Sequence, residues 1–347
     1  MVRAGVSSVT ISDIARATGT STATVSRVIN GRPDVSAQTR ARVLASLREH
    51  DYRPGFGRLA YDGVAVCLAE TRVLRSFYEA EVFDGIAQAI STRGCTLVLL
   101  PERELSRTVG GLDALCRDRR LVGVLFVGEV EESLLDCSLA SGVPCVVVDR
   151  AFPPQNAVAV GTDIGGGIVQ AVEHLVRLGH RHITLLNGPF DYGRDRLRAI
   201  GLQSAFSQAN LLPGPDTILT FPRPSIQRPT GPEVWSAVNY LLSLSPRPTA
   251  IISGGEWLTI PALLALATQG VRLPRDMSFV AFQDAPTAQQ AHPALTAIRQ
   301  LIRELGQMAV DTLLRLASGD QVVAHEAAII PMQLVIRESS GLAPDSR

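Results

Sequence analysis

One short N-terminal stretch gathers side chains able to contact a polar polymer: Ser21, Thr22, Ala23, Thr24, Ser26 and Arg27. Small hydroxyls bond phosphates or base edges, an alanine or threonine methyl touches a thymine methyl, and arginine bridges the two acceptors of a guanine. Such a set works only if one surface presents it. The flanking residues supply that surface. Thr10-Ile11-Ser12-Asp13 reads as a helix start, with Thr10 as N-cap and Asp13 as its capping-box partner. A first helix then runs through Ile11, Ile14 and Ala15 to Thr18, and Gly19 breaks it. Thr20-Ser21 caps a second helix through Val25, Val28 and Ile29, which ends at Asn30-Gly31. Two short helices joined by a glycine turn make a helix-turn-helix, and DNA-binding versions put the start of the second helix into the major groove. Thr10 and Asn30 complete the candidate DNA-contacting set. A hairpin used only for packing is the alternative, but packing gives no reason to line an outer face with hydroxyls and an arginine.

The charge distribution points the same way. The 347 residues carry no net charge, yet residues 1–61 hold 9 arginines against 4 acidic groups, a balance of +5, and the remainder is −5. A basic head on an acidic body argues for nucleic acid at one end. The length calls for more than one domain, and 46% hydrophobic content fits a soluble globular chain. The N-terminal residues lack the apolar run of an export signal and no window suits a membrane span, so a cytoplasmic protein without membrane partners is expected. Five cysteines, Cys67, Cys95, Cys116, Cys137 and Cys145, sit mostly in apolar runs without C-x-x-C spacing. They read as buried, reduced thiols.

After the second helix, Pro33-Asp34-Val35-Ser36 forms a turn and an N-cap for a third helix to about His50, with Val43, Leu44 and Leu47 inward. Pro54, Gly55 and Gly57 then mark a linker. From Gly63 short apolar runs alternate with amphipathic stretches. Strands are expected near 64–68, 96–100, 123–127, 145–148, 157–160, 183–186, 217–220, 250–252 and 277–282, with helices between them. Strict alternation means parallel sheets with helices on both faces. The fold class is therefore multi-domain: a small all-α helix-turn-helix head on residues 1–61, and an α/β core on 62–340 built of two parallel-sheet lobes of about six strands. We assign 62–160 plus 290–320 to the first lobe and 161–289 plus 321–340 to the second. Ligands of such folds bind at the carboxyl ends of strands, so a small-molecule site is expected between the lobes.

The head residues Thr10 to Ala15, Ala23 to Asn30, Val35-Ser36, Thr39-Arg40, Val43-Leu44 and Tyr52-Arg53-Pro54 resemble the signature of the lactose/galactose repressor (LacI/GalR) family. In the body, Asp149-Arg150, Asp163, His174 to Arg181, Gly188-Pro189, Arg198 with Gly201, Pro293 with Leu295-Thr296, and Arg337-Glu338-Ser339 fall where that family has them. The resemblance implies a homodimer whose paired heads read a pseudo-palindromic operator. It further implies a periplasmic-binding-protein-like core that senses a small-molecule effector, with Thr22, Ala23 and Arg27 at the base-reading positions. It also makes Arg198 the ligand-binding arginine and sets the aromatics Phe77 and Tyr78 against the ligand, although Phe77-Tyr78 could be simple core. Asp149, Glu256, Trp257 and Gln283 complete the candidate effector site.

The departures from the family pattern matter as much. The family has a hinge helix after the proline whose leucine wedges into the minor groove; here Gly55 and Gly57 cost about 1 kcal/mol each in a helix interior. Leu59 is the candidate wedge. Gly255-Glu256 stands where the family has Asn-Asp, and Gln283 replaces an aspartate. Arg194, four residues before Arg198, shares its helix face. Asp191 could cap that helix. Two guanidiniums side by side call for something negative, either Glu256 or an anionic effector such as a sugar acid or sugar phosphate. Pairing of Arg194 with Asp195 at the surface is the alternative. The C-terminal residues show no heptad run, so a dimer and nothing higher is expected.

Other chemistries find little support. His174, His180 and His182 lack the step and the acidic partner of a metal site, and His174 and His180 read as helix-end capping and packing groups. The glycine cluster at 161–167 lacks G-x-G-x-x-G spacing, and Ser339-Ser340 has no arranged histidine or acid. No catalytic residues, metal or cofactor are assigned, and no enzyme is expected. A solute-binding α/β protein whose head no longer regulates transcription is the second functional reading.

Overall fold

A computed structural model of the chain describes residues 10–29, 35–49, 63–68, 77–106, 111–154, 156–223, 231–319 and 328–344. The head comprises α1 (Ile11–Thr18), α2 (Thr22–Ile29) and α3 (Ala37–Glu49). The core continues with β1 (Gly63–Leu68), α4 (Phe77–Thr92), β2 (Thr96–Pro101), α5 (Glu102–Ser106), α6 (Gly111–Asp118), β3 (Leu121–Val127), α7 (Glu132–Ala140), β4 (Cys145–Val148) and β5 (Val158–Thr162). Next come α8 (Ile164–Arg177), β6 (Ile183–Asn187), α9 (Gly193–Gln208), β7 (Ile218–Thr220), α10 (Gly231–Ser243), β8 (Ala250–Ser253), α11 (Glu256–Thr268), β9 (Ser278–Phe282) and α12 (Pro286–Gln290). The chain closes with β10 (Thr296–Arg299), α13 (Ile302–Ala317), β11 (Ala328–Ile330) and β12 (Gln333–Val335).

The strands form two six-stranded sheets, in the orders β11-β5-β4-β3-β1-β2 and β12-β10-β9-β8-β6-β7. Continuous apolar runs explain why the central strands lie inside: all seven residues of β3 are buried, as a strand covered on both faces requires. In the first sheet Val64 and Val66 pack towards Ile86, Leu305 and Leu313 of α4 and α13, whereas Ala65 and Cys67 face Leu115 and Leu135 of α6 and α7. The period-two alternation of one strand thus feeds two helical layers. The second lobe repeats the plan, with Ile252 against Ile168 and Leu202 on one face and Ile251 against Val238 and Leu258 on the other.

Two expectations about the core change. Pairing is parallel except at β12, which runs antiparallel to β10. The lobe boundaries also move. Thr296–Arg299, expected in the first lobe, belongs to the second sheet, and Ala328–Ile330, expected in the second, belongs to the first. Strands of three or four residues carry too little pattern to reveal which sheet they join. The chain therefore crosses between the sheets after Thr162, after Arg299 and after Ile330. Gln300 donates to the Thr162 hydroxyl at 3.2 Å and the Asp163 N–H donates to the Ile330 carbonyl at 2.9 Å, which ties the crossings to one another.

Histidines fasten the C-terminal segment to the second lobe. His180 is wholly buried, its ring nitrogens 2.9 Å from the hydroxyls of Thr249 and Ser278 and 3.0 Å from the Gly341 carbonyl. His174 meets the Ser340 hydroxyl at 2.9 Å, so both are packing groups. Burial lowers the pKa of each below the ordinary 6.5. In that window the unfolded chain binds protons the folded chain refuses, so stability should fall as pH drops below about 6.5. Chemical denaturation between pH 7.5 and 5.5 should show this slope in the native chain and a shallower one in His180→Gln.

Among the described residues no helix is long and apolar enough to cross a membrane. Cys67, Cys116 and Cys145 are buried thiols, with burial pushing Cys67 and Cys116 up to about 12. Cys95 is half-buried and Cys137 exposed, contrary to a uniformly buried set.

Candidate DNA-binding face and effector cleft

In the head, Thr10 accepts from the Asp13 N–H and Asp13 accepts from the Thr10 N–H, the reciprocal capping box the spacing predicts. Gly19 closes α1 at φ 62°, a left-handed conformation that favours glycine. The Ser21 hydroxyl then accepts from the Thr24 N–H at 3.0 Å and starts α2. Ile14, Ala15, Val25, Val28, Val43 and Leu47 close a small core, with Ile11 and Val35 against it. Leu44, expected inside, is 38% exposed, because α3 needs only Val43 and Leu47 to cover this core.

Burying Val25 and Val28 turns Thr22, Ala23 and Arg27 to solvent, and Ser26 is half-buried between the two faces. The remaining candidates do structural work. Thr10 caps α1, and Ser21 and Thr24 share a 2.9 Å hydroxyl contact at the start of α2. Asn30 and Leu59, with Gly55 and Gly57, lie outside the described residues. Replacing Ser21 by alanine should cost about 1 kcal/mol through the lost cap, readable as a lowered melting temperature of the head.

Two aspartates organise the polar side chains of the core, one at the lobe boundary and one inside the second lobe. Asp149 follows β4 with φ 53° and is 3% exposed. Its Oδ1 accepts from the Thr162 N–H and hydroxyl at 3.2 and 3.0 Å. Its Oδ2 accepts from the Tyr78 hydroxyl and from Arg194 of α9, and the Arg194 guanidinium lies 4.2 Å from the centre of the Tyr78 ring. First-lobe and second-lobe residues thus share one desolvated ion pair. Burial, then the Asp149 charge, pushes the Tyr78 hydroxyl well above its usual value, so tyrosine stays a neutral donor. Phe77 packs on the first-lobe core.

The second cluster lies within the second lobe. Asp195 is wholly buried, pairs with Arg198 through Oδ1 and holds Arg223 through Oδ2 at 2.7 Å. Arg198 stacks on Phe282 at 4.4 Å, and Arg223 lies 4.5 Å from Tyr192 and 5.8 Å from Trp257. The Asn187 side-chain amide donates to the Asp195 carbonyl at 2.8 Å, anchoring the first turn of α9 to the end of β6. Gly193 lets this turn approach the first lobe: a Cβ there would sit 2.5 Å from that of Ala151.

These contacts correct the expected arrangement. Arg194 pairs with Asp149 across the lobes rather than with Asp195, and aspartates rather than Glu256 separate the two guanidiniums. Glu256 instead accepts from the Thr287 hydroxyl at 2.7 Å. Tyr192 is the N-cap of α9 and makes no side-chain cap bond, so Asp191 does not cap that helix. Gln283 is half-buried at φ 100°, a strained position for a residue with a Cβ, and the following Asp284 is held by Arg299 and Arg337 at 2.6 and 2.7 Å. Asp195, Arg223, Tyr192 and Asn187 are site residues that the sequence reading missed. Asp195 was visible one position from Arg194, but nothing near Arg223 marks it.

A cavity of about 450 Å³ opens beside Asp149 between the lobes, walled by Arg150, Thr162, Ile164, Leu197 and Ile200. Among the described residues no group of three or more His, Cys, Asp and Glu side chains suits a metal ion.

Comparison with known proteins matches residues 10–55 to the bacterial regulatory proteins of the lacI family and residues 172–340 to a periplasmic binding protein-like domain. The chain is 30% identical over 344 residues to the HTH-type transcriptional regulator MalR of Streptomyces coelicolor, covering 97% of this chain and 98% of that protein. It is 30% identical over 349 residues to the HTH-type transcriptional repressor PurR of Proteus mirabilis, covering 96% and 98%. Among solved structures, the complex of transcriptional regulator CelR with cellobiose superposes with a TM-score of 0.68 at 26% identity, covering 95% of this chain and 99% of that one. The lac repressor dimer bound to operator and the anti-inducer ONPF superposes at 0.66 with 24% identity, covering 96% and 99%. These relatives are regulators rather than enzymes. With its helix-turn-helix head and two α/β lobes, the chain belongs to the LacI family and is a ligand-responsive, DNA-binding transcriptional regulator.

Proposed function

We propose that this regulator works in the cytoplasm as a homodimer, reading a pseudo-palindromic operator with residues 1–61 while residues 62–340 hold a small molecule between the lobes and change DNA affinity. The observation that carries this reading is the two-sidedness of α2: Val25 and Val28 are buried, and Thr22, Ala23 and Arg27 stand in solvent. A two-fold pair of such faces fits half-sites one helical turn apart. Exposed apolar side chains on the core support the dimer. Leu99 lies on the edge strand β2, and Ile260 and Leu264 lie one turn apart on α11. Leu99→Arg with Leu264→Arg should shift sedimentation from dimer to monomer.

Arg27→Ala tests the operator reading. Truncation should cost about 1–3 kcal/mol and relax preference at one base pair in each half-site. Mobility shifts on duplexes varied one position at a time would show it, and an unchanged preference profile would remove Arg27 from base reading. For the effector, the cross-lobe pair of Asp149 and Arg194 supports a site whose occupancy alters how the lobes meet. CelR is described with cellobiose, and small polar molecules of that kind are the starting panel for this chain.

A further inference from the structure

Arginine outnumbers acid in the polar cluster around α9. Arg194 and Asp149 neutralise one another, but Arg198 and Arg223 share the single carboxylate of Asp195. Three guanidiniums against two carboxylates leave one positive charge. Hydrogen bonding is incomplete at the same place: the Nε atoms of Arg198 and Arg223 are both buried and both lack an acceptor. The Arg198 side chain is only 6% exposed, so water does not supply the missing acceptor freely. Burial outweighs the Asp195 charge and pulls Arg198 down to about 10, with Arg194 and Arg223 adding repulsion. It remains a cation at neutral pH. Arg223, with 29% of its side chain exposed, is the arm of the cluster that a solute can reach. Of the neighbouring acids, Glu129 pairs with Arg150 at 3.8 Å, and Glu256 accepts from the neutral Thr287 hydroxyl, not from a guanidinium of this cluster.

We propose that this cluster is the effector's anion subsite, taking the carboxylate of a small polar monoanion between Arg198 and Arg223, with Arg223 as the residue that selects charge. The inference rests on the effector being held between the lobes. A carboxylate carries the single negative charge that the cluster lacks and offers the two acceptor oxygens that the two Nε donors require. A phosphate monoester brings about −1.5 to −2 at pH 7 and would overcompensate a buried excess of one. The aromatic rings of Tyr192, Trp257 and Phe282 hold the guanidiniums in place, so little conformational freedom is lost on binding.

Matched probes test the charge selection: glucose, gluconate and glucose 6-phosphate, and cellobiose with cellobionate, titrated calorimetrically into the full-length protein. Each acid should bind at least tenfold tighter than its neutral parent and tighter than the phosphate. Arg223→Gln, which keeps a polar side chain, should abolish that margin while circular dichroism stays unchanged. Preference for a neutral sugar or for the phosphate, equal binding of the pairs, an acid margin that survives Arg223→Gln, or no binding of any probe would overturn the proposal. Operator binding by the same preparation is scored separately. If it is retained and shifts with a neutral sugar, the regulator reading stands and only the anion subsite fails; if no probe alters operator affinity, the effector reading fails with it.

Discussion

Asp195→Ala is expected to destabilise the second lobe by about 3–5 kcal/mol, the order found when one partner of a buried ion pair is removed and its charge stays behind. The effect should sit at the upper end, because this carboxylate is wholly buried and serves two guanidiniums, Arg198 and Arg223. Without it, two cations face one another beneath Phe282, Tyr192 and Trp257. Asp195→Asn keeps the shape and the two acceptor directions in part, so its loss should be smaller. Removing Arg198 instead leaves Asp195 paired with Arg223, and the penalty should again be reduced. Urea unfolding of the three variants gives the ranking Ala greater than Asn and greater than Arg198→Ala. Equal midpoints would mean that the cluster is solvated and contributes little to the fold.

Deleting residues 1–61 should lower operator affinity by at least about 10³-fold, the smallest usual margin between specific and non-specific binding. Those residues carry the helix-turn-helix and a balance of +5, whereas the rest of the chain is −5 and repels phosphate. The truncated core keeps both sheets and their four hydrophobic clusters, so its unfolding should remain cooperative. Anisotropy of labelled operator against full and truncated chains measures the difference. A core that retained near full affinity would move DNA recognition out of the head.

How much of this was legible in the sequence depended on range. The capping box at Thr10 and Asp13 and the turn at Gly19 act over three or four residues, and the structure places both where the spacing does. The first nine strands followed from short apolar runs alternating with amphipathic stretches, whereas β10, β11 and β12 did not. What escaped was short or non-local. Strand β11 is three residues long and joins β5 from more than 160 positions away, a pairing that no local pattern encodes. Arg194 finds Asp149 45 positions upstream rather than its neighbour Asp195, because the close approach at Gly193 brings the lobes together there. Arg223 is one of 33 arginines, and only its position beside Asp195, 28 residues earlier, distinguishes it.

If the exposed face of α2 reads a specific DNA sequence, the full-length protein selects that sequence from a mixture. Selection of duplexes from a random pool by the full-length protein, followed by titration of the winning sequence and a scrambled control at two salt concentrations, tests it most directly. A two-fold symmetric consensus is expected, bound at least about 10³-fold tighter than the scramble, with affinity falling steeply as salt rises for both duplexes. Selection that yields no consensus, with equal affinity for both duplexes, would contradict it.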